Sequence, residues 1–176
     1  MKDRLVKIDL AISEFIHDRI KNKILDRILS RINRGETLLV ILLISFFFYP
    51  ENNHLLVFFH VGIVSYLTDR LVLFLKKTIS RRRPLIRVMN NQDKNPDMKH
   101  SFPSAHAANS MVSIFMLVTA YHYSPLFFAF SLFAGIGRLI TLHHFLSDIL
   151  GGWFIGLLVG LMNLGFMILL KHFNLI

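Results

Sequence analysis

The chain has 176 residues, 53% of them hydrophobic and only 18% charged, with 17 phenylalanines and a net charge of +9. That balance excludes an ordinary soluble domain and points to an integral membrane protein. The basic residues lie beside long apolar runs and not among polar, base-stacking segments, so the charge fits anionic lipid headgroups and no nucleic acid partner is expected. With no cysteine, disulfides and thiolate chemistry are excluded too.

In chain order, residues 3 to about 33 place Leu5, Ile8, Ile12, Phe15, Ile16, Ile20, Ile24, Ile28 and Ile32 at steps of three or four. Lys7, Arg19, Lys21, Lys23, Arg27 and Arg31 fall mostly off that stripe, which predicts an amphipathic helix. It either lies on the membrane surface or packs on its own protein, and a periodicity alone does not separate the two. The stretch IDLAISEFI is interrupted by Asp9 and Glu14 and lacks a small-residue cleavage site, so it does not read as a signal peptide. Residues 1–35 are therefore expected to form an interfacial helix, and 36–176 a membrane-embedded domain.

Five spanning segments follow, at roughly 36–49, 54–76, 104–122, 125–142 and 148–170, each near the length that crosses about 30 Å of hydrocarbon. Tyr49-Pro50 ends the first, Glu51-Asn52-Asn53 turns into the second, and Tyr121-His122-Tyr123-Ser124-Pro125 turns into the fourth. The last carries Gly152, Gly156 and Gly160 at four-residue spacing, a pattern for close helix packing. The expected fold is an all-α polytopic bundle of five spans, or six if the N-terminal helix crosses. The connection 77–103, with seven Lys and Arg and with Pro84, Pro96 and Pro103, is the one sizeable extramembrane loop. A five-span count puts it on the same face as GRLITLHHFLSD, residues 137–148.

Those two places carry the chemistry. In KKTISRRRP, Lys76 and Arg83 are seven residues apart and share a face if the helix reaches Arg83, where Pro84 is expected to end it. Alone, the cluster could simply grip lipid headgroups. In FPSAHAANS, Pro103 and Ser104 suit a helix's first turn, whose backbone N–H groups, with the Ser104 hydroxyl, form an anion site beside His106. Alone, a Ser near a His at a helix start is more often a simple cap. In the third stretch His144 and Asp148 are four apart, so on a helix their side chains meet, whereas His143 points about 140° away. An Asp-oriented imidazole is a nucleophile or base, and Arg138 adds a guanidinium fork that fits phosphate oxygens. A His and Asp at that spacing could begin a metal site, yet Lys76, Arg83 and Arg138 repel a cation and attract an anion, so neither metal nor cofactor is expected.

Together the three pieces resemble the signature of the type 2 phosphatidic acid phosphatase family, membrane lipid phosphatases related in fold to vanadium haloperoxidases. The family pattern is Lys, six residues, Arg-Pro; then Pro-Ser-Gly-His; then Ser-Arg, five residues, His, three residues, Asp. Here it reads Lys76 to Arg83-Pro84, Pro103-Ser104-Ala105-His106, and Gly137-Arg138 to His144 and Asp148. Ala105 replaces the glycine, and Gly137 replaces a serine, removing one hydroxyl. The resemblance implies two-step phosphoryl transfer: His144 as nucleophile, Asp148 orienting it, and His106 as acid and then base. Lys76, Arg83, Ser104, Ala105 and Arg138 would hold the phosphate. It further implies a bacterial inner-membrane lipid phosphate phosphatase with its site at the outer face, acting on lipid A 1-phosphate or else on phosphatidylglycerophosphate or undecaprenyl pyrophosphate. A lipid phosphotransferase and a non-enzymatic anionic-lipid-binding protein are the competing readings. The positive-inside rule argues against the outer-face assignment, because nearly all 20 Lys and Arg precede the first span or lie on the catalytic side.

Overall fold

The computed structural model describes residues 2–20, 22, 24, 49, 53–84, 100–140 and 142–174. Among them are five α-helices: α1 (Lys2–Ile20), α2 (His54–Ile79), α3 (Ala105–Ala120), α4 (Phe128–Ile140) and α5 (Leu146–His172). A 3₁₀ turn at Pro125–Phe127 leads into α4, and no strand occurs among the described residues. The expected first span, 36–49, lies outside the described residues except for Tyr49.

Two helices, α2 with 26 residues and α5 with 27, are long and apolar enough to cross a membrane. The other two expected spans form shorter apolar helices, 105–120 and 125–140. Large apolar side chains cover the outside of α2 and α5, among them Leu55, Phe59, Phe74, Phe154, Met162 and Phe166. Such an inside-out distribution suits lipid, where helices satisfy their own backbone and present hydrocarbon outward.

The centre of the fold is the contact between α3 and α5. Gly152 and Gly156 permit it: a Cβ at Gly152 would fall 2.5 Å from the Ser104 carbonyl oxygen, and one at Gly156 would strike the Ala108 carbonyl. The glycine row read as a packing device thus brings the backbone of α5 onto that of α3. Val57, Val61 and Val64 of α2 pack with Val112, Met116 and Leu117 of α3 in the main apolar core.

The N-terminal helix packs on its own protein. Asp9, Ser13 and His17, at four-residue spacing, face inward, while Ile8, Ile12, Phe15 and Ile20 are exposed. The apolar stripe therefore faces away from the protein and the polar stripe toward it, which a lipid surround favours and water does not. The remainder of the expected helix, to about residue 33, lies outside the described residues apart from Asn22 and Ile24.

Candidate active site

The first piece begins in the last turn of α2. Its helix stops at Ile79, short of Arg83, because Ser80 takes a left-handed conformation (φ 50) and its N–H returns to the Lys76 carbonyl at 2.9 Å. Lys76 and Arg83 therefore do not share a helical face, which corrects the expectation from spacing. An extended segment carries Arg83 instead, held by the Ser101 N–H donating to the Arg81 carbonyl at 2.7 Å and by an antiparallel bridge between Arg82 and His100. Lys76 and Arg83 both end buried, at 7% exposure each. Arg83 donates to the His143 carbonyl at 3.5 Å, which ties this segment to the turn bearing the histidines.

The second piece is the start of α3. Ser104 is the N-cap, its hydroxyl accepting the Ala107 N–H at 3.4 Å, so Pro103 precedes the helix and does not sit in its first turn. Ala105 is the first helical residue and His106 the second. The Ser104 N–H donates to the Asp148 carbonyl at 2.9 Å, which fixes this helix start against α5. His106 lies against Arg138, with its Nδ1 3.2 Å from the guanidinium Nη2 and its Nε2 also in contact. A guanidinium has only donors, so a phosphate held by Arg138 comes within reach of the His106 ring.

The third piece is a turn, not a helix. At the end of α4, Leu142 is left-handed (φ 52), its N–H donates to Leu139 O at 3.0 Å, and the His143 N–H reaches Arg138 O at 3.1 Å. These are the paired bonds of a Schellman motif, built here on leucine where glycine is usual. The His144 N–H also reaches Arg138 O, at 3.3 Å. Helix α5 then starts at Leu146 with Phe145 as N-cap, and Asp148 in its first turn accepts the Phe145 N–H at 2.8 Å. His144 precedes α5, so the premise of helical phase fails for it. The pairing survives through the turn: His144 Nδ1 lies 3.6 Å from Asp148 Oδ2, with the two side chains 2% and 0% exposed. That gap is just beyond hydrogen-bond reach, as catalytic contacts often are before substrate arrives.

Burial, and then the cations Arg83, Lys76 and Arg138 together with His143, push the His144 pKa well below the ordinary histidine value. The lowered pKa favours the neutral imidazole at neutral pH, with a lone pair on one ring nitrogen. A bound phosphate would offset the same cations, so the pocket is positive where an anion belongs and leaves its histidine uncharged.

Two contributors to this site went unnoticed at the level of sequence. Arg81 donates to Asp148 Oδ1 at 2.9 Å and to Asp9 Oδ2 at 2.6 Å, and its guanidinium lies 3.9 Å from the centre of the Phe145 ring. Asp9 also accepts the Ser147 N–H at 3.3 Å and contacts the Ser147 hydroxyl. In the run Arg81-Arg82-Arg83 only the position before proline stood out, and Asp9 read as an interruption of an apolar stretch. The available signal was the polar spacing Asp9, Ser13, His17 on one helical face.

Among solved structures, the chain is similar to the transmembrane PAP2 type phosphatidylglycerolphosphate phosphatase from Bacillus subtilis. The TM-score is 0.65 at 25% identity, covering 93% of this chain and 86% of that one. It is similar in fold to Aquifex aeolicus LpxE, with a TM-score of 0.67 at 22% identity, covering 89% of this chain and 94% of the other. No curated protein matches the chain at a significant level. The sequence model of the PAP2 superfamily matches residues 53–170, a segment that takes in α2, α3, α4 and all but the end of α5 with every site residue from Lys76 to Asp148, and the chain belongs to that superfamily.

Proposed function

We propose that the protein is a lipid phosphate phosphatase that works through a phosphohistidine. The observation that carries this reading is His144, 2% exposed, beside Asp148 and acted on by Lys76, Arg83 and Arg138. A neutral imidazole in a cationic pocket is what in-line attack on a phosphate monoester requires. His144 forms a P–N bond as the P–O bond to the lipid breaks, and His106 delivers a proton to the departing oxygen. Water, deprotonated by His106, then breaks the P–N bond and releases inorganic phosphate. Lys76, Arg83, Arg138, the Ser104 hydroxyl and first-turn N–H groups of α3 such as that of Ala105 stabilise the equatorial oxygens, the work that magnesium does elsewhere.

The likeness to a phosphatidylglycerolphosphate phosphatase at 25% identity supports a glycerophospholipid phosphate as substrate. Phosphatidylglycerophosphate therefore joins lipid A 1-phosphate as the first substrates to assay, with undecaprenyl pyrophosphate and phosphatidic acid behind. Release of phosphate from detergent-dispersed lipids in the presence of a chelator tests both substrate and metal independence. Quenching during turnover in alkaline denaturant should trap a base-stable phosphoenzyme that acid then releases and that is missing from His144→Ala; its absence from the wild type at any quench time would sink the mechanism. A phosphoenzyme that decays only when a second lipid or sugar is added would instead indicate a phosphotransferase.

We place the protein in a bacterial inner membrane with the site at the outer face. Cysteines introduced as Asn91→Cys and Ser124→Cys, labelled from outside in intact cells, test this: labelling at 124 alone would reverse the orientation.

A further inference from the structure

We propose that Asp9 of the N-terminal helix is a positioning residue for the reaction, acting through Arg81 to fix the Asp148 carboxylate against His144. The inference rests on the phosphohistidine reading above and concerns a helix outside the 53–170 segment that defines the superfamily match.

The contacts form a continuous path. One nitrogen of Arg81 meets Asp9 at 2.6 Å and the other meets Asp148 at 2.9 Å, so the guanidinium is shared between two carboxylates from opposite ends of the sequence. The Arg81 side chain is 17% exposed and Asp9 13%, and Asp148 is fully buried, so water screens these pairs weakly. Asp148 sets one oxygen on Arg81 and the other on the Phe145 N–H, with the Ser101 side chain as a further hydrogen-bond partner, and the oxygen on Phe145 is the one that faces His144. Rotation of the carboxylate is thereby blocked from both sides. Were Arg81 unpaired, its flexible side chain would hold Asp148 less firmly; Asp9 removes that freedom.

The rest of the α1 polar stripe grips the same turn. The Ser13 hydroxyl accepts the Leu146 N–H at 3.3 Å, and His17 Nδ1 lies 2.5 Å from the Ile140 carbonyl. Ile140 and Leu146 are the last residue of α4 and the first of α5, so α1 spans the two ends of the segment that bears His143 and His144. A helix whose polar face bonds to Arg81 and to both ends of the turn that bears the nucleophile, while its apolar face looks outward, is placed to hold that turn still.

The test uses the full-length protein in detergent with phosphatidic acid as the probe. Asp9→Asn is expected to lower kcat about tenfold with KM within about twofold, and Arg81→Gln to lower it further, with Arg81→Lys partly restoring it. Because Asp9 acts through Arg81, the double variant should be no worse than Arg81→Gln within about twofold, and the rate of phosphoenzyme formation should fall in step with kcat. Arg82→Gln, on an exposed neighbour, should be unaffected. The inference is overturned if Asp9→Asn turns over like wild type, if the two losses multiply in the double variant, or if kcat merely tracks the fraction of folded protein seen in a thermal melt. His144→Ala separates the two levels: an active His144→Ala breaks the phosphohistidine reading itself, whereas an inactive one beside a normal Asp9→Asn breaks only this inference.

Discussion

Two histidines of the same bundle, half-buried His60 and buried His144, are surrounded in opposite ways. His60, near the start of α2, has its Nδ1 2.7 Å from the Tyr121 hydroxyl and its Nε2 3.2 Å from the Asn163 amide nitrogen, which lies in turn 3.0 Å from the Met116 sulfur. Its ring also meets the Tyr121 ring edge-on, with centroids 5.9 Å apart. Both nitrogens are spent on neutral partners, as polar groups inside a membrane bundle generally are. His144 has no hydrogen bond at Nδ1, a carboxylate at 3.6 Å and three cations acting on it. The difference between a histidine that holds helices together and the one proposed to do chemistry therefore lies in unspent bonding capacity and in the sign of the surrounding charge.

The largest expected contrast is His144→Ala, which should cost at least about a thousandfold in kcat because no other group can carry the phosphoryl intermediate. Asp148→Asn should cost about a hundredfold, since the amide keeps the shape but loses the charge that stabilises a phosphorylated, positively charged ring. A smaller and more diagnostic effect concerns protonation. A depressed histidine pKa leaves the ring neutral on acidification through 6.5, so nitrogen NMR of labelled, substrate-free protein should show His144 uncharged at pH 6, and an imidazolium signal there would remove the proposed nucleophile. The smallest effect belongs to the other end of the bundle. His60→Phe should leave kcat within about twofold while lowering stability by about 1–2 kcal/mol, measured as earlier thermal unfolding in detergent. A large kcat loss there would erase the distinction between the two regions.

Much of the site is legible from residue types and intervals. Lys76, Arg83, Ser104, His106, Arg138, His144 and Asp148 come from three stretches, and charges and contacts now link them around one buried imidazole. The reasons for their meeting were less legible. The spacing of Lys76 and Arg83, and of His144 and Asp148, looked helical, but left-handed residues at Ser80 and Leu142 break both helices. Neither is glycine or asparagine, so no local preference announces those breaks; tertiary packing imposes them against an intrinsic cost of about 1–2 kcal/mol. Asp9 and Arg81 escaped for a different reason. Their pairing crosses 72 positions of sequence, and an acidic residue on an amphipathic helix is ordinarily a solvated one. Only the knowledge that α1 turns its polar side inward makes Asp9 a partner for Arg81.

The glycine seam between α3 and α5 bears on how a lipid substrate gets in. Gly152 and Gly156 leave no room even for a methyl group against the Ser104 and Ala108 carbonyls, so acyl chains cannot thread between the two helices that present His106 and Asp148. A lipid phosphate would have to reach the pocket by a route other than that seam, with its tails left in the bilayer. Selection among tails would then fall to surfaces outside the seam, while the seam itself fixes the spacing of the residues that face the phosphate.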